Sequence, residues 1–252
     1  MNRFEGQHVL VTGGTSGIGL HTALAYANEG AHVFVTARQI DKPAPSGQPD
    51  LRHDPRVTLL QHDAADLPGA QQLAQALQQR GITLNAVFVN AGVAEFAPLS
   101  DVTEALWERT FSTNVKGPFF LIRALQPLLA KGASIVLNGS INAHIGMPNS
   151  AVYAASKAAL ISLAKTLSAE LLPQGARVNV VSPGPIETPL YGKLGLDAEA
   201  LRGLAGHIQG QIPLGRFGRP DEVAATVLHL SAPESGFIVG TEIVIDGGMS
   251  QL

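Results

Sequence analysis

The segment Thr12-Gly13-Gly14-Thr15-Ser16-Gly17-Ile18-Gly19 decides the fold of this 252-residue chain. It follows an apolar run of strand length, His8–Thr12, and leads into a stretch with helical spacing, Ile18–Glu29. Its spaced glycines, Gly13, Gly17 and Gly19, permit a tight turn, a close approach of the backbone to a ligand, and close packing of helix on strand. Because the start of a helix offers free N–H groups and a positive dipole end, it favours phosphate groups. This strand, turn and helix therefore predict a dinucleotide-binding βαβ unit.

Apolar runs of strand length recur along the chain and alternate with stretches of helical spacing. The runs are mostly continuous, which is typical of strands buried on both faces of a parallel sheet. The predicted strands are His8–Thr12, His32–Ala37, Val57–Gln61, Ala86–Asn90, Ser134–Gly139, Arg177–Val181 and Glu242–Asp246. The predicted helices are Ile18–Glu29, Ala70–Arg80, Thr103–Ala130, Val152–Leu171 and Asp221–Leu230. This alternation predicts an α/β fold with a single doubly wound parallel sheet and helices on both faces.

Two segments interrupt this alternation. Asp41–Pro55 contains four prolines, so the helix expected between the second and third strands is predicted to be absent or very short. Pro189–Gly218 is the longest insertion between strands, and Leu201, Leu204 and Ile208 within it share one helical face. Because three glycines in the same stretch lower helix stability, we predict a mobile substrate lid at residues 189–218.

The composition excludes several classes of protein. The chain is 45% hydrophobic and 15% charged with a net charge of −3, which excludes a disordered chain. It has no basic run of the kind that binds nucleic acid, and no cysteine for a disulfide, a thiol nucleophile or a cysteine-bound metal. No apolar run reaches the roughly 18 residues of a membrane-spanning helix, and Met1–Gly6 lacks the pattern of a secretory signal. We therefore expect a cytoplasmic protein without a nucleic-acid or membrane partner.

The sequence does not support metal or hydrolase chemistry. Its eight histidines are scattered, with no pair at ligand spacing on one helix, so no metal site is predicted. It contains no Gly-x-Ser-x-Gly motif, which a hydrolase nucleophile elbow would need. Asn142 and His144 are instead interpreted as walls of a substrate pocket.

The end of the second predicted strand indicates which dinucleotide is preferred. An NAD site normally has an acidic residue there, about 20 residues past the glycines, to hold the ribose 2′-hydroxyl. This chain has Arg38 at that point, and a guanidinium can pair with a 2′-phosphate. We therefore predict that NADP(H) is preferred, with NAD(H) also usable; the alternative is that Arg38 is a solvated strand-end residue and Asp41 holds the ribose. Asp63, just past the third strand, could hold the adenine edge or simply form a turn.

Tyr153 and Lys157 are four residues apart, hence on one face of the predicted helix Val152–Leu171. A tyrosine is protonated at neutral pH and a nearby cation favours its phenolate, so Tyr153 could be a general acid/base in an alcohol–carbonyl exchange. The alternative is an amphipathic helix face with a snorkelling lysine.

Ser140 follows the fifth predicted strand, at the edge where open parallel sheets bind ligands. Its hydroxyl could hold a substrate oxygen or merely cap a turn.

Asn114 lies four residues before a proline in the long predicted helix Thr103–Ala130. Pro118 cannot donate to the carbonyl of Asn114, and its ring clashes with that carbonyl. We predict a kink that frees this carbonyl to bind a water, which would connect Lys157 to solvent as a proton relay.

Taken together, these residues resemble the short-chain dehydrogenase/reductase family. The matching motifs are Thr-Gly-x3-Gly-x-Gly at Thr12–Gly19, Asn-Ala-Gly at Asn90–Gly92, Asn114, Ser140, Tyr-x3-Lys at Tyr153–Lys157, Pro-Gly at Pro183–Gly184 with Thr188, and Asp-Gly-Gly at Asp246–Gly248. Each motif alone is unspecific, but the set follows the order and spacing of the family across nearly the whole chain. The proline-rich stretch Asp41–Pro55 departs from the family pattern, in which a helix flanks the adenosine pocket.

The resemblance implies a Rossmann-like sheet with strand order 3-2-1-4-5-6-7, in one dinucleotide-binding domain, residues 1–252, that also carries the catalytic site. It implies a catalytic tetrad of Asn114, Ser140, Tyr153 and Lys157. In this tetrad Tyr153 is the acid/base, Ser140 orients the substrate oxygen, and Lys157 holds the nicotinamide ribose and lowers the Tyr153 pKa. The predicted cofactor contacts are Gly13, Thr15, Ser16, Gly17, Ile18, Gly19, Arg38, Asp63, Asn90, Ala91, Gly92, Tyr153, Lys157, Pro183, Gly184, Ile186 and Thr188.

The substrate is predicted only as a class. Reduction of a ketone or aldehyde is favoured over alcohol oxidation because cells usually keep NADP reduced. The lid residues indicate an apolar pocket, and hence a hydrophobic or aromatic ketone; they are Leu190, Tyr191, Leu194, Leu196, Leu201, Leu204 and Ile208. One alternative is a 3-oxoacyl thioester, although few basic residues are available for an acyl carrier protein: Lys193, Arg202, Arg216 and Arg219.

An alternative from another class is a non-catalytic NADP-binding regulatory protein, because fold does not imply function. The presence of both Tyr153 and Lys157 argues against it.

The low charge content and the resemblance further predict a homotetramer. Its candidate interfaces are Thr103–Ala130, Val152–Leu171 and the C-terminal strand.

Overall fold

A computed structural model describes residues 2–41, 49–188 and 197–252 of the chain. Within them the strands are β1 (His8–Thr12), β2 (His32–Ala37), β3 (Val57–Gln61), β4 (Leu84–Val89), β5 (Leu129–Asn138), β6 (Arg177–Pro183) and β7 (Glu242–Ile245). The α-helices are α1 (Gly17–Asn28), α2 (Leu67–Gln79), α3 (Glu104–Phe111), α4 (Gly117–Leu125), α5 (Ala151–Leu171), α6 (Ala198–Gly210) and α7 (Pro220–Ser231).

All strand pairs are parallel, and the order across the sheet is β3-β2-β1-β4-β5-β6-β7. The predicted doubly wound Rossmann-like α/β fold and its strand order are thus confirmed. The order reverses direction between β1 and β4, the place where open parallel sheets bind ligands at their carboxyl ends. Every residue that follows a strand on that edge is therefore a candidate for the site.

Both faces of the sheet are covered, which explains why the strands are continuously apolar. Successive residues of β1 alternate between two cores: Val9 and Val11 pack toward α1 and α7, and Leu10 packs toward α2, α4 and α5. Each fully buried aliphatic side chain contributes roughly 1.5–3 kcal/mol through its removal from water. The two hydrophobic layers hold the sheet rigid beneath its carboxyl edge.

The predicted helix Thr103–Ala130 is wrong in its continuity and at its C-terminal end. The chain forms α3, then a π-helical turn at Ser112–Lys116, then α4, and a 3-10 turn at Gln126–Leu128. Pro127 lacks the N–H that would continue α4. From Leu129 onward the chain enters β5, which begins five residues earlier than the predicted Ser134–Gly139 and pairs with β4.

The two irregular segments are described only in part. Before β3 a short 3-10 turn at Leu51–His53 is present, while residues 42–48 lie outside the described residues. Of the predicted lid, residues 189–196 also lie outside them; these include Leu190, Tyr191, Lys193, Leu194 and Leu196. The remainder contains α6, which forms despite its three glycines because Asp197 caps it by accepting from the N–H groups of Glu199 and Ala200.

Candidate active site

The carboxyl ends of β1, β4, β5 and β6 surround one cleft. Ten of the predicted site residues line it: Ile18, Asn90, Gly92, Ser140, Tyr153, Lys157, Pro183, Gly184, Ile186 and Thr188. They come from five separate parts of the sequence, and the parallel sheet brings them together because all its strands end on this edge. The cleft thus joins the glycine-rich turn to the Ser140, Tyr153 and Lys157 side chains.

The glycine-rich turn is shaped so that only glycine fits at its key positions. Gly13 and Gly17 have φ angles of +62° and +54°, in the left-handed region. A Cβ on Gly19 would lie 2.5 Å from both Asn90 Nδ2 and the Gly13 carbonyl oxygen. The close approach of helix α1 to β1 and β4 therefore depends on the absence of a side chain at this position.

The first turn of α1 leaves its N–H groups available to an anion. Ser16 at the N-cap makes no side-chain capping bond, and no acidic residue lies in the first turn. Uncapped N–H groups and the positive end of the helix dipole together suit a phosphate. The turn, including Thr15 and Ile18, thus fits the pyrophosphate of a dinucleotide.

Asn90 supports this turn from the adjacent strand. Its Nδ2 donates to the carbonyls of Thr12 and Gly13 at 3.0 and 3.2 Å. The Thr12 hydroxyl accepts from the backbone N–H groups of Asn90 and Ala91 at 2.9 and 3.0 Å. The Asn-Ala-Gly segment is consequently locked to the glycine turn.

The residues predicted to read the adenosine end lie apart from the cleft. Arg38 is exposed directly after β2, and Asp41 is exposed three residues later. Asp63, just past β3, accepts from the N–H of Ala65 at 3.0 Å. It therefore forms a turn, the second of the two roles that its position in the sequence suggested. The second carboxylate oxygen of Asp63 could still accept a hydrogen bond from an adenine.

Tyr153 and Lys157 lie on one face of α5, as their spacing predicts. The Lys157 Nζ is 5.7 Å from the centroid of the Tyr153 ring, and it donates to the carbonyl oxygen of Asn138 at 2.6 Å. Ser140 forms a hydrogen bond with the Tyr153 side chain. The Ser140 hydroxyl also accepts from the N–H of Asn142 at 3.2 Å, so Ser140 caps a turn as well as facing Tyr153.

The pKa values of this pair differ from the expectation that Lys157 lowers that of Tyr153. Burial raises the pKa of Tyr153, and its hydrogen bond with Ser140 lowers it by less. Burial also lowers the pKa of Lys157 to about 8, because little water is left to stabilise its charge. For Tyr153 the effect of burial exceeds that of the Ser140 hydrogen bond, so its hydroxyl is a protonated donor.

Asn114 lies behind the cleft and holds α5 in place. Its side chain is buried, accepts from the N–H of Val93 and donates to the carbonyl of Val93, both at 2.9 Å. Its Nδ2 also donates to the Ser156 hydroxyl at 3.1 Å, and that hydroxyl donates to the carbonyl of Tyr153 at 2.7 Å. Asn114 thus acts on Tyr153 through Ser156, a residue that sequence reasoning missed.

The predicted kink before Pro118 takes the form of a π-helical turn. This turn, Ser112–Lys116, includes Asn114 and shifts the hydrogen-bond ladder by one residue. Pro118 at the start of α4 has no N–H to give to the Asn114 carbonyl. The water relay predicted from this carbonyl stays a prediction.

The far side of the cleft is formed where β6 meets the chain end. A Cβ on Gly184 would lie 2.7 Å from the Cβ of Asp246, which explains the Pro-Gly motif by close packing. Asp246 accepts from the N–H groups of Gly248 and Ser250 at 2.9 and 2.7 Å, which closes the Asp-Gly-Gly turn. Beyond Gly184 the buried Ile186 and the half-buried Thr188 face the cleft.

Several lining residues were not among the predicted site residues. Val93, Ala94, Asn138 and Gly139 line the cleft. Phe96 lies with its ring edge-to-face on Tyr153, at a centroid distance of 5.7 Å. These residues lie at the end of β5 or within seven residues after β4 or β5, which was a usable signal, but only the fold shows which of them face the cleft. His144, predicted as a pocket wall, pairs with Glu242 of β7 at 2.7 Å.

Comparisons with known proteins agree with this geometry. A family model described as enoyl-(acyl carrier protein) reductase matches residues 13–250. The chain is similar to a 3-oxoacyl-(acyl-carrier-protein) reductase of Thermotoga maritima, with 36% identity over 98% of this chain and 99% of the relative. It is also similar to an NADP-dependent (R)-specific alcohol dehydrogenase of Lentilactobacillus kefiri, with 35% identity over 98% of each chain.

Solved structures give the same result. The chain is similar to a short-chain dehydrogenase/reductase from Brucella melitensis named as a glucose/ribitol dehydrogenase, with a TM-score of 0.88, 30% identity and 99% of each chain covered. It is similar to the ligand-free aldohexose dehydrogenase of Thermoplasma acidophilum, with a TM-score of 0.87, 25% identity, and 99% of this chain and 96% of that chain covered.

No helix among the described residues is long and apolar enough to cross a membrane.

Proposed function

The chain belongs to the short-chain dehydrogenase/reductase family and is an NAD(P)-dependent oxidoreductase, and from this premise we propose that it uses NADPH to reduce the carbonyl group of an apolar ketone or aldehyde. One observation carries the proposal: Ser140, Tyr153 and Lys157 line the same cleft as the glycine-rich turn. A hydride donor held by the turn and a proton donor on α5 would then meet at one substrate carbonyl.

Tyr153 is the general acid in this proposal. Its hydroxyl is protonated because burial raises its pKa, so it can give a proton to the oxygen of a carbonyl as that oxygen gains negative charge. Ser140, which is hydrogen-bonded to Tyr153, orients the same oxygen and stabilises the developing charge. When bound, NADPH supplies the hydride.

Lys157 and Asn114 support the acid. The Lys157 ammonium lies beside the Tyr153 ring and favours the phenolate that remains after proton transfer. Because Lys157 lines the cleft, we assign it the further role of holding the nicotinamide ribose. Asn114 fixes the helical turn that carries both groups through its bond to Ser156.

The preference for NADPH rests on Arg38. This guanidinium follows β2, where an NAD-specific site would place a carboxylate. Arg38 is exposed, and among the described residues no ion pair or hydrogen bond to its side chain is found. Free guanidinium donors suit the planar, bidentate recognition of a 2′-phosphate.

Reduction is the proposed direction because NADP is usually kept reduced in cells.

An apolar substrate is supported by the side chains around Tyr153. Phe96, whose ring contacts Tyr153, and Met147 expose 38% and 41% of their surface. The segments that carry them are joined, since the Ala97 N–H donates to the Asn149 carbonyl at 2.9 Å. An aromatic or aliphatic substituent on the carbonyl would cover these side chains.

A second candidate substrate is a 3-oxoacyl thioester. It is favoured by the similarity to the Thermotoga maritima reductase. Of the basic residues considered for an acyl-carrier-protein contact, Arg216 pairs with Glu222 and Arg219 with Asp221, which leaves them less available to an acidic partner.

A substrate panel tests the proposal. Purified protein is supplied with NADPH or NADH and with aromatic ketones, aliphatic ketones, aldehydes, sugars and 3-oxoacyl thioesters, and the loss of NADPH absorbance is followed. We expect the highest kcat/KM with an aromatic or aliphatic ketone and NADPH. Faster turnover of the thioesters would favour the second candidate, and a tenfold preference for NADH would contradict the role of Arg38. No turnover of any carbonyl would favour the regulatory alternative.

We further propose that the protein is a homotetramer. Trp107 on α3 is 44% exposed and stacks on Phe111. The small residues Ala155, Ala158 and Ser162 are exposed on the first half of α5, where they permit close approach of another helix. Near the edge strand β7, Phe237 and Leu252 are almost fully exposed. Exposed apolar surface on these elements is the kind that subunit interfaces cover.

A further inference from the structure

Two asparagine side chains and the backbone of the glycine-rich turn form a continuous hydrogen-bonded line across the carboxyl ends of β1, β4 and β5. Asn138 Nδ2 donates to Asn90 Oδ1 at 3.0 Å. Asn90 Nδ2 in turn donates to the backbone carbonyls of Thr12 and Gly13, the first two residues of the glycine-rich turn. The amide of Asn138 is therefore connected to the turn through a single intermediate side chain.

The direction of every bond in this line is fixed by chemistry. The carbonyls of Thr12 and Gly13 can only accept, so Asn90 must present its Nδ2 to them and its Oδ1 to Asn138. An acceptor at that point requires Asn138 to present its Nδ2. The orientation of both amides follows from the backbone of the turn.

This fixed orientation leaves the Oδ1 of Asn138 buried and without a hydrogen-bond partner among the described residues. A buried acceptor without a donor destabilises the fold relative to an apolar side chain of the same size. Asn138 also lines the cleft. The amide is thus poorly explained by stability, and its position at the cleft indicates a role in the reaction.

The backbone of the same residue contacts Lys157. The Lys157 ammonium donates to the Asn138 carbonyl oxygen at 2.6 Å, the one hydrogen bond found for it among the described residues. Lys157 is almost completely buried, so this bond has a large influence on where its Nζ lies. Asn138 is hydrogen-bonded to the glycine turn by its side chain and to the ammonium by its main chain.

We propose that Asn138 is a positioning residue that couples the seat of the cofactor phosphates to Lys157. The proposal rests on the proposed function, in which the glycine turn holds NADPH and Lys157 supports Tyr153. A shift of the turn is passed through Asn90 to Asn138, and the Asn138 carbonyl carries it to the ammonium. Cofactor affinity and the acidity of the Lys157–Tyr153 pair are therefore linked through one residue.

The test replaces Asn138 by leucine, which keeps the approximate volume and removes the amide. We expect the Kd for NADPH, measured by fluorescence titration without substrate, to rise about tenfold, the effect of losing one hydrogen bond that orders the turn. The pH at which kcat/KM is half-maximal should shift in the same variant. A purely structural role would lower the melting temperature and leave both quantities at their wild-type values.

Asn85→Leu is the matched control. Asn85 is a half-buried asparagine at the opposite end of β4, where its Oδ1 accepts from the N–H of His8 at 3.0 Å. This variant should lose stability while its Kd for NADPH and pH profile stay unchanged. If Asn138→Leu does not fold, Asn138→Ser, which removes the amide with less steric demand, takes its place.

Each outcome separates this inference from the proposed function. A raised Kd together with a shifted pH profile supports the coupling. A wild-type Kd, or a raised Kd with an unshifted profile, overturns it even if the enzyme reduces ketones. If the wild-type protein neither binds NADPH nor reduces a carbonyl, the proposed function fails instead.

Discussion

Arg38 is exposed just beyond the end of β2, where it can meet a 2′-phosphate without first breaking an ion pair found in the described residues. Replacement by aspartate restores the carboxylate that holds a ribose 2′-hydroxyl and repels a phosphate. We expect kcat/KM with NADPH to fall by about 100-fold, or roughly 2.7 kcal/mol, and kcat/KM with NADH to rise. Steady-state kinetics with both cofactors measure this.

The matched control for Arg38 is Asp41→Asn, which removes the charge that the alternative interpretation assigns to the ribose. It should leave the cofactor ratio nearly unchanged. A loss of NADH activity in Asp41→Asn, with no effect of Arg38→Asp on NADPH, would show that the alternative is correct.

Lys157 gives opposite pH trends for stability and for activity. Burial lowers its pKa to about 8 from 10.5, so between these values the unfolded chain binds a proton that the folded chain has released. Folding stability from this group therefore rises with pH across that window, by at most about 1.4 kcal/mol per pH unit. Activity that needs the ammonium falls over the same range.

This trend is measured by denaturant unfolding and by kcat/KM between pH 7 and 10, each compared with Lys157→Met. The variant removes the titration while retaining an unbranched apolar chain. The difference in unfolding free energy between the two proteins should diminish as pH rises. A difference that is constant with pH would contradict the lowered pKa.

At the scale of elements, the junction of β1 and α1 depends on glycine at one contact. A Cβ on Gly19 would lie 2.5 Å from a backbone oxygen of Gly13, which cannot rotate away as a flexible side chain could. We expect Gly19→Ala to lower the free energy of unfolding by about 1–3 kcal/mol through overpacking, and to weaken NADPH binding. Thermal unfolding and fluorescence titration measure the two effects.

The control for Gly19 is Gly203→Ala in α6, where an added Cβ meets nothing within 4 Å. Since alanine favours a helix interior over glycine, this variant should gain up to about 1 kcal/mol. Equal effects of the two substitutions would contradict the steric account of the turn.

The sequence predicts the bounds of a strand well where the local pattern is unambiguous, and poorly where the same residues also fit a helix. The bounds of β1, β2 and β3 could be predicted to the residue because each is a continuous apolar run bounded by polar or turn residues. The start of β5 could not, because Leu128, Leu129 and Ala130 also continue the helical spacing of Thr103–Ala130. Strand pairing with β4 decides that ambiguity, and pairing is a long-range property.

The same distinction applies to the site. Tyr153, Lys157 and the glycine turn could be identified because their chemistry follows from residue type and local spacing. The positions of Asn138 and Ser156 in the hydrogen-bond networks could not be, since each depends on a partner tens of residues away, Asn90 or Asn114. The lowered pKa of Lys157 also had no local signal, because it results from burial.

At the scale of the whole molecule, the low charge content agrees with two covered sheet faces and with further surface available to other subunits. Multi-angle light scattering at micromolar concentration should give the mass of four chains. Trp107→Glu places a charge in the exposed aromatic pair on α3 and should reduce that mass, while the cofactor cleft stays intact. A monomeric wild-type protein would contradict the proposed interfaces.

In the proposed reaction Tyr153 protonates a carbonyl oxygen in the cleft, while the glycine turn holds the cofactor at another point. The most direct measurement compares Tyr153→Phe with the wild-type protein in kcat for the best ketone of the panel and in the Kd for NADPH. We expect kcat to fall at least about 100-fold, the typical contribution of a general acid, while the Kd changes less than about threefold. Ketone reduction at the wild-type rate by Tyr153→Phe would contradict it.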